Sequence, residues 1–310
     1  MDNSTLGSTF FLTSFSSTPE LRVLHAVLFL VIYLAALLSN LLLIMVTTLD
    51  PRLHSPMYFF LRNLSFLDVC LISITVPKSI ANSLMNLTLI SFLGCVSQVF
   101  FFFLLATTEV ALLTVMSYDR YIAICHPLRY GTVMSHPACE QMAASSWVSG
   151  GLNAVLHTAA TFSVPMCGPR EVHQFFCDVP QLLSLACFRN VGELVVIGLS
   201  LLLDLGCFVF IDVSYFHIFS TVLKMPSRAG RSKAFSTCLP HLAVVTLFLS
   251  SGFFAYLHPL PKSASALDLL VSVFYTVVPP TLNPLIYSLR NKDMQKALRR
   301  LLLSRRHLPH

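Results

Sequence analysis

The chain alternates long apolar stretches with short polar segments. Seven stretches have the length and apolarity of helices that cross a membrane, and they cover residues 24–48, 57–80, 93–123, 139–163, 192–218, 235–257 and 268–289. A helix needs roughly 20 mainly apolar residues to cross the hydrocarbon core of a bilayer, and each stretch provides about that number. The first stretch contains no Asp, Glu, Lys or Arg, whereas the second and third are interrupted by acidic residues. This pattern predicts an all-α protein, a bundle of seven transmembrane helices.

Composition excludes the main alternatives to a membrane protein. Hydrophobic residues make up 55% of the chain and charged residues 11%, whereas a soluble domain carries roughly 25% charged residues. The 25 Phe residues require burial, which excludes a disordered chain. No internal repeat is evident in the sequence, so the paired halves of a repeat-built transporter are not expected.

The basic residues indicate how the helices are oriented. If the N-terminus is outside, 15 of the 20 Lys and Arg residues fall in inner segments, as basic residues in membrane proteins prefer. We therefore expect an extracellular tail at 1–23, a helical membrane domain at 24–289 and a cytoplasmic segment at 290–310. The net charge of +6 then reflects a cytoplasmic rim, which argues against a nucleic-acid partner.

The two ends of the chain carry further signals. Asn3 begins an Asn-x-Ser/Thr sequon on the expected outer side, so it is a candidate glycosylation site. Residues 290–307 read RNKDMQKALRRLLLSRRH, with apolar residues at helical spacing among five Arg and two Lys. This pattern predicts a short amphipathic helix that lies on anionic membrane lipid.

Four cysteines lie in segments expected on the outer side: Cys95, Cys167, Cys177 and Cys187. An oxidising compartment allows such cysteines to form two disulfide bridges, for which three pairings are possible. The other five cysteines lie within the helices or toward the cytoplasm, where they are expected to act as small buried apolar residues.

Two acidic residues are expected near the middle of the membrane. At 1.5 Å per residue, Glu109 lies roughly 16 Å from Arg120 at the inner face, and Asp68 lies roughly 18 Å into the second helix. Charge at this depth is costly, so the pair is expected to share a proton, bind a cation or contact Asn40 and Asn283. No other cofactor is expected. Nothing nucleophilic stands beside the pair, so a catalytic function is not expected.

Asp204 is a further acidic residue within a predicted span, the fifth. It lies near the depth at which a ligand cavity can end. Two interpretations stay open: a protonated acid that bonds to a neighbouring helix, or a ligand contact.

Several motifs occur in the same order as the spans. They are LHSPMYFFL at 53–61, MSYDRYIAIC at 116–125, KAFSTC at 233–238 and NPLIYSLR at 283–290, together with the outer-loop cysteines. With these motifs the chain resembles the olfactory receptors, and it is most similar to the class II (tetrapod) branch of these rhodopsin-like G-protein-coupled receptors. The resemblance covers essentially the whole chain and implies the rhodopsin-like seven-helix bundle.

The resemblance implies an activation switch, a mid-membrane polar site and two disulfide bridges. The switch residues are Asp119, Arg120, Tyr121, Tyr215, Asn283, Pro284 and Tyr287. The polar site comprises Asn40, Asp68 and Glu109. The implied bridges are Cys95–Cys177 and Cys167–Cys187. A switch is physically reasonable because proline permits a helix to bend and because Arg120 is always charged and needs a partner in each state.

The resemblance also implies a ligand cavity in the outer half of the bundle. Its lining would be Val99, Phe102, Phe103, Ala106, Thr107, Leu199, Ser200, Leu203, Gly252, Phe253, Tyr256, Val273 and Thr276. This mostly apolar set suits small, neutral, volatile or lipophilic molecules. Phe102 stands where amine receptors carry an aspartate, so a charged amine lacks that anchor. Leu249 departs from the family, which often has a tyrosine there.

The function implied is that of an odorant receptor. It would bind a small-molecule odorant, activate a stimulatory, olfactory-type heterotrimeric G protein and raise cyclic AMP. It would span the plasma membrane of olfactory sensory neuron cilia, in contact with membrane lipid. The alternative is a rhodopsin-like receptor for an endogenous lipid or metabolite outside olfactory tissue. A transporter or channel, and an enzyme, are more remote.

Overall fold

The computed structural model describes residues 9–13, 18–85, 88–167, 169–187, 191–257, 266–290 and 292–304. Asn3 lies outside the described residues. The described part is mostly helical, with the long helices α1 Pro19–Leu49, α2 Pro56–Met85, α3 Phe92–Cys125, α4 His136–Phe162, α5 Val191–Lys224, α6 Arg228–Leu257 and α7 Ala266–Arg290, followed by α8 Lys292–Ser304. Short helical turns occupy Pro51–Leu53, Pro127–Arg129, Tyr130–Val133 and Val179–Ser184.

The long helices match the predicted spans in number and order. Helices α1, α2, α3, α5, α6 and α7 are long and apolar enough to cross a membrane. Helix α4 is less apolar, but its 27 residues extend about 40 Å, which is sufficient to cross. Several helices are longer than their predicted spans because hydropathy marks only their apolar part. Helix α6, for example, begins in the basic segment at Arg228.

Helix α3 lies at the centre of the bundle, where it packs against α2, α4, α5 and α6. Most of the buried apolar side chains form one continuous core around it. Large apolar side chains also cover the outer surface, as Leu199 and Leu203 do on α5. Such an apolar outer surface is expected of helices that face lipid.

A small sheet that the sequence pattern does not predict covers one end of the bundle. Its strands are β1 Thr9–Leu12, β2 Leu89–Ser91 and β3 Glu171–Val172. Strand β1 lies between the other two, antiparallel to β2 and parallel to β3. We call this the sheet end of the bundle, and the opposite end, which carries α8, the tail end. Strands this short show no alternation of polar and apolar residues, which explains why the pattern misses them.

The loop between α4 and α5 is fixed at the sheet end by two disulfide bridges. Cys95 at the start of α3 is bonded to Cys177, and Cys167 is bonded to Cys187. These are the pairings that the family resemblance implies. The Cys177 N–H also donates to Gln98 Oε1 of α3 at 3.0 Å. The loop is therefore held against α3 by a covalent bond and by a buried hydrogen bond.

Gly150 brings α4 into close contact with α3. An ideal Cβ atom at this position would overlap Thr108 Oγ1 and would lie 2.5 Å from the Leu104 carbonyl oxygen. Because that carbonyl belongs to the α3 backbone, the helices must separate to accommodate a methyl group. At the adjacent Gly151, a Cβ atom would meet nothing within 4 Å.

We expect Gly150→Ala to destabilise the bundle by about 1–3 kcal/mol, because overpacking forces α3 and α4 apart. The measurement is the thermal midpoint of the detergent-solubilised protein, with surface display as a second readout. Gly151→Ala is the matched control and should leave both unchanged or slightly improved, because alanine favours helix. Equal midpoints for the two variants would contradict the close packing of these helices.

Candidate functional site

A cavity of about 120 Å³ lies among the helices, below the loop that joins α4 to α5. Helices α2 to α7 all contribute to its wall. The apolar lining comprises Leu71, Phe102, Phe103, Ala106, Val110, Ile197, Leu201, Phe248, Leu249, Gly252 and Phe253. The polar lining comprises Thr107, Asn153, His157, Ser200, Asp204 and Tyr275. The cavity is therefore mostly apolar, with polar groups of α3, α4, α5 and α7.

The structure brings together seven of the residues predicted to line a cavity: Phe102, Phe103, Ala106, Thr107, Ser200, Gly252 and Phe253. Val99 and Thr276 are buried but do not line it, and Val273 packs against the apolar core. The side chain of Tyr256 lies outside the described residues.

Of the three residues predicted on α5, Ser200 lines the cavity, but Leu199 and Leu203 do not. Leu199 and Leu203 are 54% and 69% exposed on the outer surface of the bundle, whereas the neighbouring Leu201 and Asp204 line the cavity. Successive residues of a helix turn by about 100°, so a shift of one or two positions exchanges the inner and outer faces. The polar residues Glu193, Ser200 and Asp204 are seven and four residues apart, so they share one face of α5 and indicate the side that turns inward.

A chain of polar contacts that the sequence analysis missed crosses one wall of the cavity. Asn153 Nδ2 donates to Thr107 Oγ1 at 2.8 Å, and Ser200 Oγ donates to Asn153 Oδ1 at 2.9 Å. His157 Nε2 lies 2.9 Å from Ser200 Oγ, and His157 Nδ1 lies 3.0 Å from Glu193 Oε1. This chain of contacts could have been predicted from His157 and Glu193, because each is an ionisable residue within a predicted membrane span.

The directions of these hydrogen bonds determine where the protons are. Since the Ser200 hydroxyl donates to Asn153, the Ser200 oxygen accepts, and His157 Nε2 therefore carries a proton. The second ring nitrogen is engaged by Glu193, and the ring stacks on Phe103 with centroids 3.8 Å apart. Both nitrogens of His157 are therefore occupied within the wall, and His157 is a fixed part of it.

The loop between α4 and α5 is joined to the cavity through Asp178. Tyr275, which lines the cavity, donates its hydroxyl to Asp178 Oδ2 at 3.0 Å. The Tyr275 ring also lies about 6 Å from the rings of Phe102 and Phe176. Burial raises the pKa of Asp178 to about 6, and its hydrogen bonds with Tyr275 and the Val179 N–H lower the pKa only partly. The loop closes over the cavity through this contact.

A second polar cluster lies deeper in the bundle and contains the predicted acidic pair. Asn283 Nδ2 of α7 lies 3.1 Å from Asp68 Oδ1 and 3.2 Å from Glu109 Oε1, so one amide contacts both carboxyl groups. All three side chains are fully or almost fully buried. In the part of the chain that the structure describes, no group of three or more His, Cys, Asp or Glu side chains could hold a metal ion.

Asn40 contacts the α7 backbone rather than the two acids. Pro284 has no N–H, so the carbonyl of Pro280, four residues earlier, lacks its helical donor. Asn40 Nδ2 of α1 lies 2.9 Å from this oxygen and supplies that hydrogen bond. Asn40 therefore stabilises the proline-interrupted part of α7.

At the tail end, Arg120 forms an ion pair with Asp119, and Arg120 Nε lies 2.9 Å from Asp119 Oδ2. Tyr130 donates its hydroxyl to the other oxygen of Asp119 at 2.7 Å. Burial, and then the nearby Asp119 carboxylate, raise the pKa of Tyr130, so its hydroxyl remains a donor. Tyr121 contacts His126 on the adjacent loop, with 3.0 Å between Oη and Nε2.

The other switch residues lie beside this ion pair. His241 Nε2 donates to the Leu113 carbonyl at 3.0 Å, so in the neutral ring Nδ1 accepts from the Tyr215 hydroxyl at 2.8 Å. The hydroxyl of Tyr287 is buried and has no hydrogen-bond partner in the described part of the chain. Arg120 and Tyr287 both line a second cavity, of about 690 Å³, at the tail end. Tyr215 is thus held by α6, and Tyr287 is available for a different contact.

Comparison with known proteins identifies the family. A family model described as "Olfactory receptor" matches residues 29–305, which is most of the chain. The chain belongs to the olfactory receptor family. Human olfactory receptor 14A16 is 58% identical over 299 residues, 96% of each chain. Human olfactory receptor 14J1 is 54% identical over 310 residues, all of this chain and 96% of the relative.

A solved structure supports the same fold. A crystal structure of squid rhodopsin matches 91% of this receptor and 85% of its own chain with a TM-score of 0.73 at 18% identity. The predicted seven-helix, rhodopsin-like architecture and the predicted family are confirmed. The protein is therefore a multi-pass membrane receptor of the G-protein-coupled class that detects small molecules, and members of this family are not enzymes.

We expect the stability of this olfactory receptor to fall as pH rises from about 4 to about 6. Because the pKa of Asp178 is raised from about 3.9 in the unfolded chain to about 6, the folded state binds more protons in this window, and ionisation of Asp178 costs up to about 3 kcal/mol at higher pH. The measurement is the thermal midpoint of the purified receptor in detergent between pH 4 and pH 8.

Asp178→Asn keeps an acceptor for Tyr275 but removes the ionisation. We expect this variant to lose that pH dependence and to be more stable than the parent above pH 6. Glu171→Gln, at an exposed acid of the same end, is the control and should retain the parental slope. An unchanged slope in Asp178→Asn would contradict the assignment.

Proposed function

We propose that this receptor binds small, mostly neutral, volatile or lipophilic odorants in the cavity between α3 and α7. The observation that carries the proposal is the size and lining of the cavity. Its volume of about 120 Å³ is similar to that of an engineered protein cavity of about 150 Å³ that binds benzene. Drug-sized ligands occupy pockets of about 300–1,000 Å³, so the cavity suits a much smaller molecule.

The affinity for such a ligand lies in the micromolar range. A molecule with few heavy atoms makes few contacts, and the binding energy available per heavy atom is limited. Thr107 supplies a polar contact. Its oxygen accepts from Asn153, so its hydroxyl hydrogen is available to a ligand carbonyl or hydroxyl oxygen.

In the proposed orientation, the sheet end is extracellular and the tail end is cytoplasmic. Two observations support this orientation. The excess of Lys and Arg lies in the segments toward the tail end, and such residues prefer the cytoplasmic side. Both disulfide bridges lie at the sheet end, and disulfides persist in an oxidising compartment such as the extracellular space. Asn3 is then on the side where glycosylation occurs, and the receptor belongs in the plasma membrane of sensory cilia.

Helix α8 lies on the inner leaflet in this orientation. Arg300 of α8 pairs with Asp50 at 2.8 Å, which fixes α8 to the turn after α1. Met294 and Ala297 are buried against the bundle, whereas Lys296 and Arg299 are exposed. An amphipathic helix with exposed basic residues is attracted to anionic lipid.

The tail-end cavity is the proposed docking site for a stimulatory heterotrimeric G protein, which raises cyclic AMP. Arg120, Lys233 and Lys296 contribute to its lining. Pro240 interrupts the hydrogen bonding of α6 at this cavity and provides a point about which α6 can bend outward. Activation then releases Arg120 from Asp119.

In the resting state, Asp68 and Glu109 share one proton, which avoids two adjacent buried negative charges.

The experiment that tests the function is a broad odorant screen with a cyclic AMP reporter in cells that display the receptor. We expect agonists among small lipophilic odorants. Arg120→Ala should remain at the surface and lose the response, because it removes the cation of the proposed G-protein site. Cyclic AMP responses only to endogenous lipids or metabolites would contradict odorant recognition, and responses that survive in Arg120→Ala would contradict the proposed coupling.

We expect Thr107→Val to raise the concentration of agonist needed for half-maximal response about five- to tenfold, because a hydrogen bond in the cavity is lost while volume is conserved. Thr114→Val is the matched control on the same helix, since Thr114 bonds only to the Val110 carbonyl and does not line the cavity. Both variants should display normally. Identical concentration–response curves for the parent and Thr107→Val would argue against this binding site.

A further inference from the structure

The carboxyl group of Asp204 lies in the wall of an otherwise mostly apolar cavity. Asp204 is on α5, one helical turn beyond Ser200, and both residues line the cavity. Across the described residues, Asp204 makes no hydrogen bond and no ion pair, and the ionisable side chain with which it interacts electrostatically is His157. An acid in this position lacks the partner that such a group requires.

The other polar groups of the cavity wall are bonded to one another rather than to Asp204. His157 uses one ring nitrogen for Glu193 and the other for Ser200. Ser200 donates its hydroxyl to Asn153, whose amide donates to Thr107. On the far wall, Tyr275 donates to Asp178 in the loop.

The charges of the wall are also unbalanced. His157 Nδ1 and Glu193 Oε1 lie 3.0 Å apart, so the positively ionisable side chain of this wall is already paired with an acid. Among the residues that the structure describes, no Lys or Arg lines the cavity. Within the described part of the bundle, an ionised Asp204 interacts with His157, whose charge Glu193 offsets. A cation in the cavity would compensate the Asp204 carboxylate more fully.

We propose that the cavity binds an odorant with a protonated amine at one end, which pairs with Asp204. This inference rests on the proposed odorant function and replaces its mostly neutral ligand class with small amines that have an apolar body. The apolar body of the amine lies against Phe103, Phe248 and Phe253, which line the same cavity. Phe102 stands on α3 where amine receptors carry an aspartate, and in this receptor the carboxyl group of Asp204 on α5 pairs with the amine instead. An ion pair gains strength in such an enclosed, weakly polar space.

The test uses matched pairs of probes that differ in the charged group alone: cyclohexylamine with cyclohexanol, and hexylamine with hexanol. They are applied to the full-length receptor in cells with a cyclic AMP reporter. On the parent receptor, we expect half-maximal response to each amine at a concentration at least about tenfold lower than for its alcohol. This comparison needs no variant and so does not depend on folding of a mutant.

Three variants then locate the interaction. Asp204→Asn should raise the amine concentration for half-maximal response by about thirtyfold or more and change the alcohol response less than about threefold. Asp204→Glu keeps the charge and should retain part of the amine response. Asp212→Asn is the control, because Asp212 lies two helical turns further on an exposed face and should change neither response.

The outcomes separate this inference from the function on which it rests. If alcohols activate the receptor as well as or better than the matched amines, or if displayed Asp204→Asn reduces both responses equally, the amine proposal is overturned and the odorant function stands. If a displayed parent receptor raises cyclic AMP for no odorant, both proposals fail. Selective loss of the amine response in Asp204→Asn supports the assignment.

Discussion

The bundle depends on the need to satisfy polar groups that lie where water is absent. Asn283 of α7 meets this need by contacting the carboxyl groups of Asp68 and Glu109, which joins α2, α3 and α7 at one depth. Asn40 joins α1 to the same helix through the Pro280 carbonyl. Four helices are thus fixed relative to one another by hydrogen bonds that have no substitute in a hydrocarbon environment. These hydrogen bonds therefore hold in place the helices that carry the ligand cavity toward the sheet end and the Arg120–Asp119 ion pair at the tail end.

The same helices carry both the ligand cavity and the cytoplasmic-side switch proposed here. On α3, Thr107 lines the cavity and Arg120 lies roughly 20 Å further along. On α6, Phe253 lines the cavity and Lys233 the tail-end cavity, with Pro240 between them. A ligand that contacts α6 at one end can therefore bias its bend at the other, provided that it binds one packing of the bundle more tightly than the other.

The fold could be predicted largely because lipid imposes a simple requirement on helix length and apolarity. The site was predictable only where the sequence distinguishes one helix face from another. On α5 the polar Ser200 and Asp204 mark the inner face, whereas the lining that the family resemblance implied also included Leu199 and Leu203, which lie on the outer surface. The part that α4 plays in the cavity wall could be predicted only from His157, an ionisable residue within an otherwise weakly patterned span. Two- to four-residue strands carry too little pattern to be detected.

The position of β1 has a consequence for how the chain is made. Strand β1, Thr9–Leu12, pairs with β2 at residues 89–91 and with β3 at residues 171–172, so the strand in the middle of the sheet is synthesised before both of its partners. The sheet cannot be completed until more than half of the polypeptide has left the ribosome and β3 is in place. Pairing of β1 with β3 is therefore a late step of biogenesis. Until then, one edge of β1 has unpaired backbone N–H and C=O groups while the helices are inserted into the membrane.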